Sequence, residues 1–206
     1  MPDNSDNCFA SNTVITSKNG KTYLDELVEG DEALSFDDNG KIFYSEVWCI
    51  THHVKNSRAT YLQIDTESKR LVISHRHFVF VKNGDKQEYK KAKDLQKGDI
   101  VFILIIDGEK KIRVEESVME IEEVEQEGIF NVFTKSGRII ANGFFCSTYA
   151  EVHPNLVHPF LAPLRAAYDV TPTVVMEKIL TKNEDGKPYL FKASSKLLKP
   201  VVNLFQ

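Results

Sequence analysis

The sequence predicts an all-β domain of duplicated design, followed by a small, mainly helical C-terminal region. Three observations carry that reading. From Phe9 to about Tyr149 the chain is a succession of short segments rich in β-branched and aromatic residues, broken by turn signals. Two blocks within that stretch recur at a fixed offset of 68 residues. Near Ala150 the pattern changes to prolines, histidines and apolar runs.

Taken in order, the turns fall at Lys18-Asn19-Gly20, Asp37-Asp38-Asn39-Gly40, Lys82-Asn83-Gly84-Asp85 and Lys135-Ser136-Gly137. Each offers Asn, Asp or Gly where strands connect tightly. Thr22 to Leu27 and Lys90 to Leu95 read as single helical turns, each leading into a Gly-Asp pair. Those pairs expose the repeat. Leu27, Gly30 and Asp31 return as Leu95, Gly98 and Asp99, and Thr66, Ser68 and Arg70 return as Thr134, Ser136 and Arg138. The apolar pairs Leu62/Phe130, Ile64/Val132, Leu71/Ile139 and Val72/Ile140 keep the same offset. Each half is too small to bury its own apolar face well, so the two are expected to pack about a pseudo-two-fold axis.

Beyond Ala150, His153-Pro154 and His158-Pro159 lead into the apolar run Phe160 to Tyr168, and Val174 to Lys182 reads as a short helix. Tyr189 to Lys199 and Val201 to Phe205 are amphipathic, with lysines on the polar side. Such a tail either packs on the β domain or contacts lipid, and packing is the expectation.

Composition narrows the function classes. The 206 residues are 42% hydrophobic and 27% charged, which suits a globular chain with one good core or two small ones. A net charge of −4, with Lys and Arg dispersed among Asp and Glu, lacks the electrostatic footprint of a nucleic-acid binder. Cys8, Cys49 and Cys146 are too few and scattered for a disulfide framework, and no CxxC occurs. There is no apolar run of membrane-spanning length, and Met1 to Asn7 lacks a signal-peptide core, so no compartment is encoded.

Cys8 stands just ahead of the strand-rich region, its sulfur beside the carbonyl of Asn7. A thiolate there can attack that carbonyl if the fold supplies acid and base. Ser74-His75-Arg76-His77, at the end of a strand over Arg70 to Ile73, and the Cys49 to His53 block offer hydroxyl and imidazole groups. These histidines admit three readings: satisfied structural residues, a zinc set drawn from Cys49, His52, His53, His75 and His77, or acid and base for Cys8. No recognised ligand spacing supports the metal, and none is expected.

Cys8-Phe9, Ser74-x-x-His77, the duplicated Leu-x-x-Gly-Asp motif, Tyr44-Ser45-Glu46-Val47 and Ala141-Asn142-Gly143 with Tyr149-Ala150 together resemble the C-terminal autoprocessing (Hint, or Hog) domain of hedgehog proteins. His158-x-x-x-Ala162-Pro163-Leu164-Arg165 and the Gly186 to Tyr189 stretch resemble the sterol-recognition region that follows it. Inteins share the β core without this tail, and the close of the β region lacks their His-Asn. The resemblance implies an upstream remnant over 1–7, an intein-like Hint domain over 8–150 and a sterol-recognition region over 151–206.

It further implies an N-to-S acyl shift at the Asn7-Cys8 bond and transfer of the upstream polypeptide, acting in cis, to cholesterol or a related sterol. Cys8 is then the nucleophile, His77 protonates the scissile nitrogen, and Ser74, usually Thr in the family, is its hydrogen-bonding partner. Asn7 stands where the family usually has Gly. His52, or with a one-residue slip His53, falls where an Asp base on the sterol is expected. Thr148 aligns with a late family cysteine; Cys146 shares its strand face and either approaches Cys8 or is a buried thiol. Phe160, Leu161, Leu164, Tyr189, Leu197 and Leu198 are the sterol-binding candidates. No cofactor is implied; a monomer in the secretory pathway, later secreted or degraded, is, with membrane contact through the C-terminal region. Water or another lipid alcohol as acceptor, and an inert binding module, are the competing readings.

Overall fold

The computed structural model describes residues 8–170. They form strands β1 (Val14–Ser17), β2 (Gly20–Tyr23), β3 (Glu32–Phe36), β4 (Ile42–Asp65), β5 (Arg70–Ile73), β6 (His77–Asn83), β7 (Lys86–Lys91), β8 (Ile100–Asp107), β9 (Lys110–Ser117), β10 (Glu120–Thr134), β11 (Arg138–Ala141) and β12 (Phe144–Ala150). Helices α1 (Pro154–Phe160) and α2 (Ala162–Val170) follow. Every pairing between named strands is antiparallel, in the order β10-β4-β3-β1-β11-β12-β6-β8-β9, with β2, β5 and β7 flanking β1, β4 and β6. The all-β expectation with a small helical end is met.

The repeat is visible bond by bond. Leu24–Glu26 and Ala92–Asp94 are 3-10 turns, not α-helical ones, each closed from the following Leu. Next, Asp31 Oδ2 accepts from Val28 N at 2.9 Å and Asp99 Oδ2 from Gln96 N at 2.7 Å. Gly30 N donates to Val47 O and Gly98 N to Val118 O, while Val47 N and Val118 N return bonds to Asp31 O and Asp99 O. Gly30 and Gly98 sit at φ +98° and +93°, which explains why this position is Gly in both halves. The repeated motif thus turns the chain from β2 into β3 and from β7 into β8.

The halves interlock through β4 and β10, which pair along most of their lengths with bulges at three places. One bulge centres on Gly128, at φ +84°, where a Cβ would lie 2.2 Å from the Phe130 ring. β5 pairs with the other edge of β4, and Phe9 bridges both Phe130 and Ile73. Phe9 therefore closes a ring of β5, β4 and β10, fixing the segment that carries Cys8. Phe9, Ile15, Ile64, Ile73, Val79, Phe130 and Phe144 are buried in the main core, each stabilising the fold by about 1.5–3 kcal/mol.

α1 starts where His153 Nδ1 accepts from Asn155 N and Pro154 takes the first turn, needing no N–H there. Val157, Leu161, Leu164 and Tyr168 pack on Trp48, Cys49, Phe133 and Tyr149, so the tail docks on the β domain this far. Tyr149 Oη meets His158 Nδ1 at 2.9 Å, and Arg165 donates to His158 O at 2.8 Å and lies 3.3 Å from His158 Nε2. Burial and the Arg165 charge hold His158 down to about 4, so the ring is neutral and links strand to helix. The helix read at Val174 to Lys182 and the amphipathic stretches after Tyr189 lie outside the described residues.

Candidate functional site

The structure brings Cys8, Ser74 and His77 together by strand geometry. Phe9 pairs with Ile73, so Cys8 stands opposite Ser74, the first residue past β5. Ser74 N donates to Cys8 O at 3.0 Å, and Cys8 N donates to Ser74 Oγ at 2.9 Å. Cys8 N is the nitrogen of the Asn7-Cys8 peptide. Ser74 Oγ is also 3.3 Å from His77 Nδ1, at the start of β6, after a turn closed by His77 N to Ser74 O. All three side chains are fully buried.

His77 lies against the Phe9 ring, centroids 4.4 Å apart, and its Nε2 is buried with no hydrogen-bond partner among the described residues. Burial pushes its pKa down to about 3, because a charged imidazole has nothing there to replace water. The ring is neutral at ordinary pH, and its protonated form is a strong acid. That combination suits a group that takes a proton briefly and passes it on.

The second set of residues arrives along β10. Phe9 and Phe130 exchange both backbone hydrogen bonds, at 2.8 and 3.1 Å. Cys8 and Asn131 are therefore the adjacent non-hydrogen-bonded pair, where side chains approach most closely. Asn131 in turn pairs with His52 on β4, so Cys8, Asn131 and His52 form one row on one face. Ile129 and Val54 share that face, and both pack in the cluster that holds Cys8. His53 points the other way, its ring edge-on to Phe130 at 5.2 Å. Of the two imidazoles left open by the sequence, His52 is the one on the thiol's face.

Asn131 is the site residue that sequence reasoning missed. It is buried, donates from Nδ2 to Thr148 O at 3.2 Å, and its Oδ1 has no hydrogen-bond partner among the described residues. Nothing local marks it: its neighbours in β10 are ordinary strand residues, and only pairing with distant segments puts it beside Cys8.

Thr148 is buried and meets Asn131 through its carbonyl, while its Oγ1 is a second buried oxygen without a hydrogen-bond partner among the described residues. Cys146 belongs to the main core cluster, apart from the one holding Cys8, and burial pushes its thiol pKa up, which favours the inert reading of that residue. Among the described residues no group of three His, Cys, Asp or Glu converges to hold a metal. Cys49 is under α1, and His75 reaches Glu123 at 3.1 Å. Of the sterol-binding candidates, Phe160 is 54% exposed, Leu161 is 6% exposed and Leu164 packs on the Trp48 cluster. Tyr189, Leu197, Leu198 and Asn7 lie outside the described residues.

The family described as Hint module matches residues 2–194. Warthog protein 1 of Caenorhabditis elegans is 23% identical over 158 residues, covering 75% of this chain and 32% of that protein. Protein hedgehog of Drosophila virilis is 25% identical over 164 residues, covering 78% and 34%, and Sonic hedgehog protein of Danio rerio is 24% identical over 173 residues, covering 80% and 41%. The chain thus spans less than half the length of these relatives. Among solved structures, an Ssp DnaB mini-intein variant superposes with a TM-score of 0.59 at 11% identity, covering 70% of this chain and 95% of that one. The gp41-1 intein gives 0.52 at 17%, covering 68% and 97%. These likenesses show the fold.

Proposed function

The chain belongs to the Hint module family, and from that premise we propose that it is a self-cleaving domain acting through a thioester at Cys8, with a sterol as acceptor. The observation that carries this is the 2.9 Å hydrogen bond from Cys8 N to Ser74 Oγ, because it holds the nitrogen that must leave. Cys8 Sγ attacks the carbonyl carbon of residue 7, the carbon–nitrogen bond breaks, and the upstream chain passes to sulfur. Neutral His77 accepts the thiol proton. Once sulfur has added to the carbonyl the nitrogen is pyramidal and presents a lone pair to the Ser74 hydroxyl, through which the imidazolium, destabilised by burial, passes the proton to the departing nitrogen. Until then the hydrogen bond from Cys8 N keeps the nitrogen beside this relay.

In the second step an alcohol oxygen attacks the thioester carbonyl. His52, on the thiol's side, takes the hydroxyl proton and returns it to the Cys8 sulfur as the carbon–sulfur bond breaks. Binding the alcohol beside the base makes this step intramolecular in effect, worth about 7–11 kcal/mol when aligned. The sterol assignment rests on the resemblance of the tail to sterol-recognition regions and on the exposed Leu156 and Phe160. The upstream polypeptide is the substrate in cis, and no cofactor, metal or nucleic acid enters. A monomer in the secretory pathway, with membrane contact through the C-terminal region, accords with this chemistry.

The test fuses a reporter upstream of Cys8 and measures the intact mass of the released fragment with dithiothreitol, with cholesterol in detergent, and with neither. Thiol-induced release that Cys8→Ala abolishes supports the thioester, and a fragment heavier by one sterol less water supports the acceptor. Release that persists in Cys8→Ala refutes both.

A further inference from the structure

We propose that Asn131 positions a water molecule for attack on the Cys8 thioester, giving this domain a hydrolytic exit that competes with transfer to an alcohol. The inference rests on the thioester reading above.

Asn131 lies between Cys8 and His52 in the row across the sheet. Neighbouring strands are about 4.8 Å apart, so about 10 Å separates the outer two backbones, with the Asn131 strand between them. The orientation of the amide is fixed, because Thr148 O accepts a hydrogen bond and a flipped amide would set oxygen against oxygen. Oδ1 is therefore the free acceptor of this amide, 97% removed from solvent with its residue and without a hydrogen-bond partner among the described residues. Leaving such an oxygen unsatisfied is costly, so it favours a nucleophile that brings it a hydrogen.

An alcohol has one hydroxyl hydrogen, and the base needs it. Water has two. His52 takes one as the water oxygen bonds to the thioester carbon, and Asn131 Oδ1 holds the other. The carbon–sulfur bond then breaks, His52 returns its proton to the Cys8 sulfur, and the fragment leaves as a carboxylic acid that ionises in solvent. With an alcohol in place, Oδ1 stays unsatisfied. Asn131 thus biases the thioester toward hydrolysis.

The experiment incubates the full chain, fused to the reporter, in 18O-labelled water with dithiothreitol, with cholesterol, or with neither, and resolves products by mass. The wild-type fusion alone should yield acid carrying one 18O. Asn131→Leu, close in shape but without hydrogen-bonding groups, should hydrolyse about tenfold more slowly. Its dithiothreitol cleavage gauges any general damage to the site, and its ratio of sterol ester to acid should rise about tenfold. Hydrolysis unchanged in Asn131→Leu, or lost in proportion with thiol cleavage, overturns the role of Asn131. If Asn131→Leu gives no thiol cleavage, Asn131→Ala is judged by the same ratio. Absence of thiol cleavage in the wild type instead overturns the thioester reading, which separates the two failures.

Discussion

Replacing Ser74 with alanine isolates the group that binds the Cys8 nitrogen, the one proposed to leave. Its hydroxyl accepts Cys8 N–H at 2.9 Å and meets His77 Nδ1 at 3.3 Å, all fully buried. Ser74→Ala strands a backbone donor and an imidazole nitrogen, each costing about 1–3 kcal/mol, so a stability loss of about 2–6 kcal/mol is expected. The proton relay is cut as well, and general acid catalysis of this kind contributes about 10²–10⁴-fold. Dithiothreitol-induced cleavage of the reporter fusion should therefore slow by at least about a hundredfold. Urea unfolding gives the stability of each variant, and rates are compared where both proteins are folded. Ser74→Thr keeps the hydroxyl and should retain activity within about tenfold, its extra methyl costing about 1–3 kcal/mol in this packed position. Cleavage by Ser74→Ala at the wild-type rate while folded would refute the assigned relay.

Three further outcomes follow from the same geometry. His77 has a folded pKa of about 3 against an ordinary 6.5, so the unfolded chain binds more protons between those values. Stability is then full above about pH 6.5 and falls toward pH 3 by up to about 1.4 kcal/mol per unit; His77→Gln should flatten that part of the profile in urea titrations. Phe160 is exposed and Leu161 buried against Trp48. Phe160→Ala should lower cholesterol-dependent release while changing thiol cleavage less than about twofold and stability by less than about 0.5 kcal/mol. Leu161→Ala should cost about 2–5 kcal/mol in stability, and an unchanged melting temperature would contradict its packing.

What could be read from the sequence was whatever its local chemistry punctuates. The Gly30-Asp31 and Gly98-Asp99 pairs encode their own turns, since glycine takes the left-handed backbone and aspartate bonds an amide three residues back. The duplication, the strands and the Cys8, Ser74 and His77 set followed from such signals together with the family resemblance. Beyond the β region the sequence left the tail to pack on the β domain or to contact lipid, with packing expected, and it was the contacts of His158 and Arg165 that fastened the helices to Tyr149.

Tertiary structure alone decided which residues share the thiol's face. His52 and His53 are adjacent and chemically identical, and only their pairing with Asn131 and Phe130 sends one toward Cys8 and the other toward the Phe130 ring. Asn131 acquires its place because Phe9 closes the ring between β5 and β10, a contact spanning 121 residues (130 − 9). The sequence by itself determined the strands, the repeat and the place of Cys8 just ahead of them, because side-chain alternation and turn chemistry act over a few residues. The composition of the site depended on strand register, which long-range burial sets and no short stretch of sequence contains.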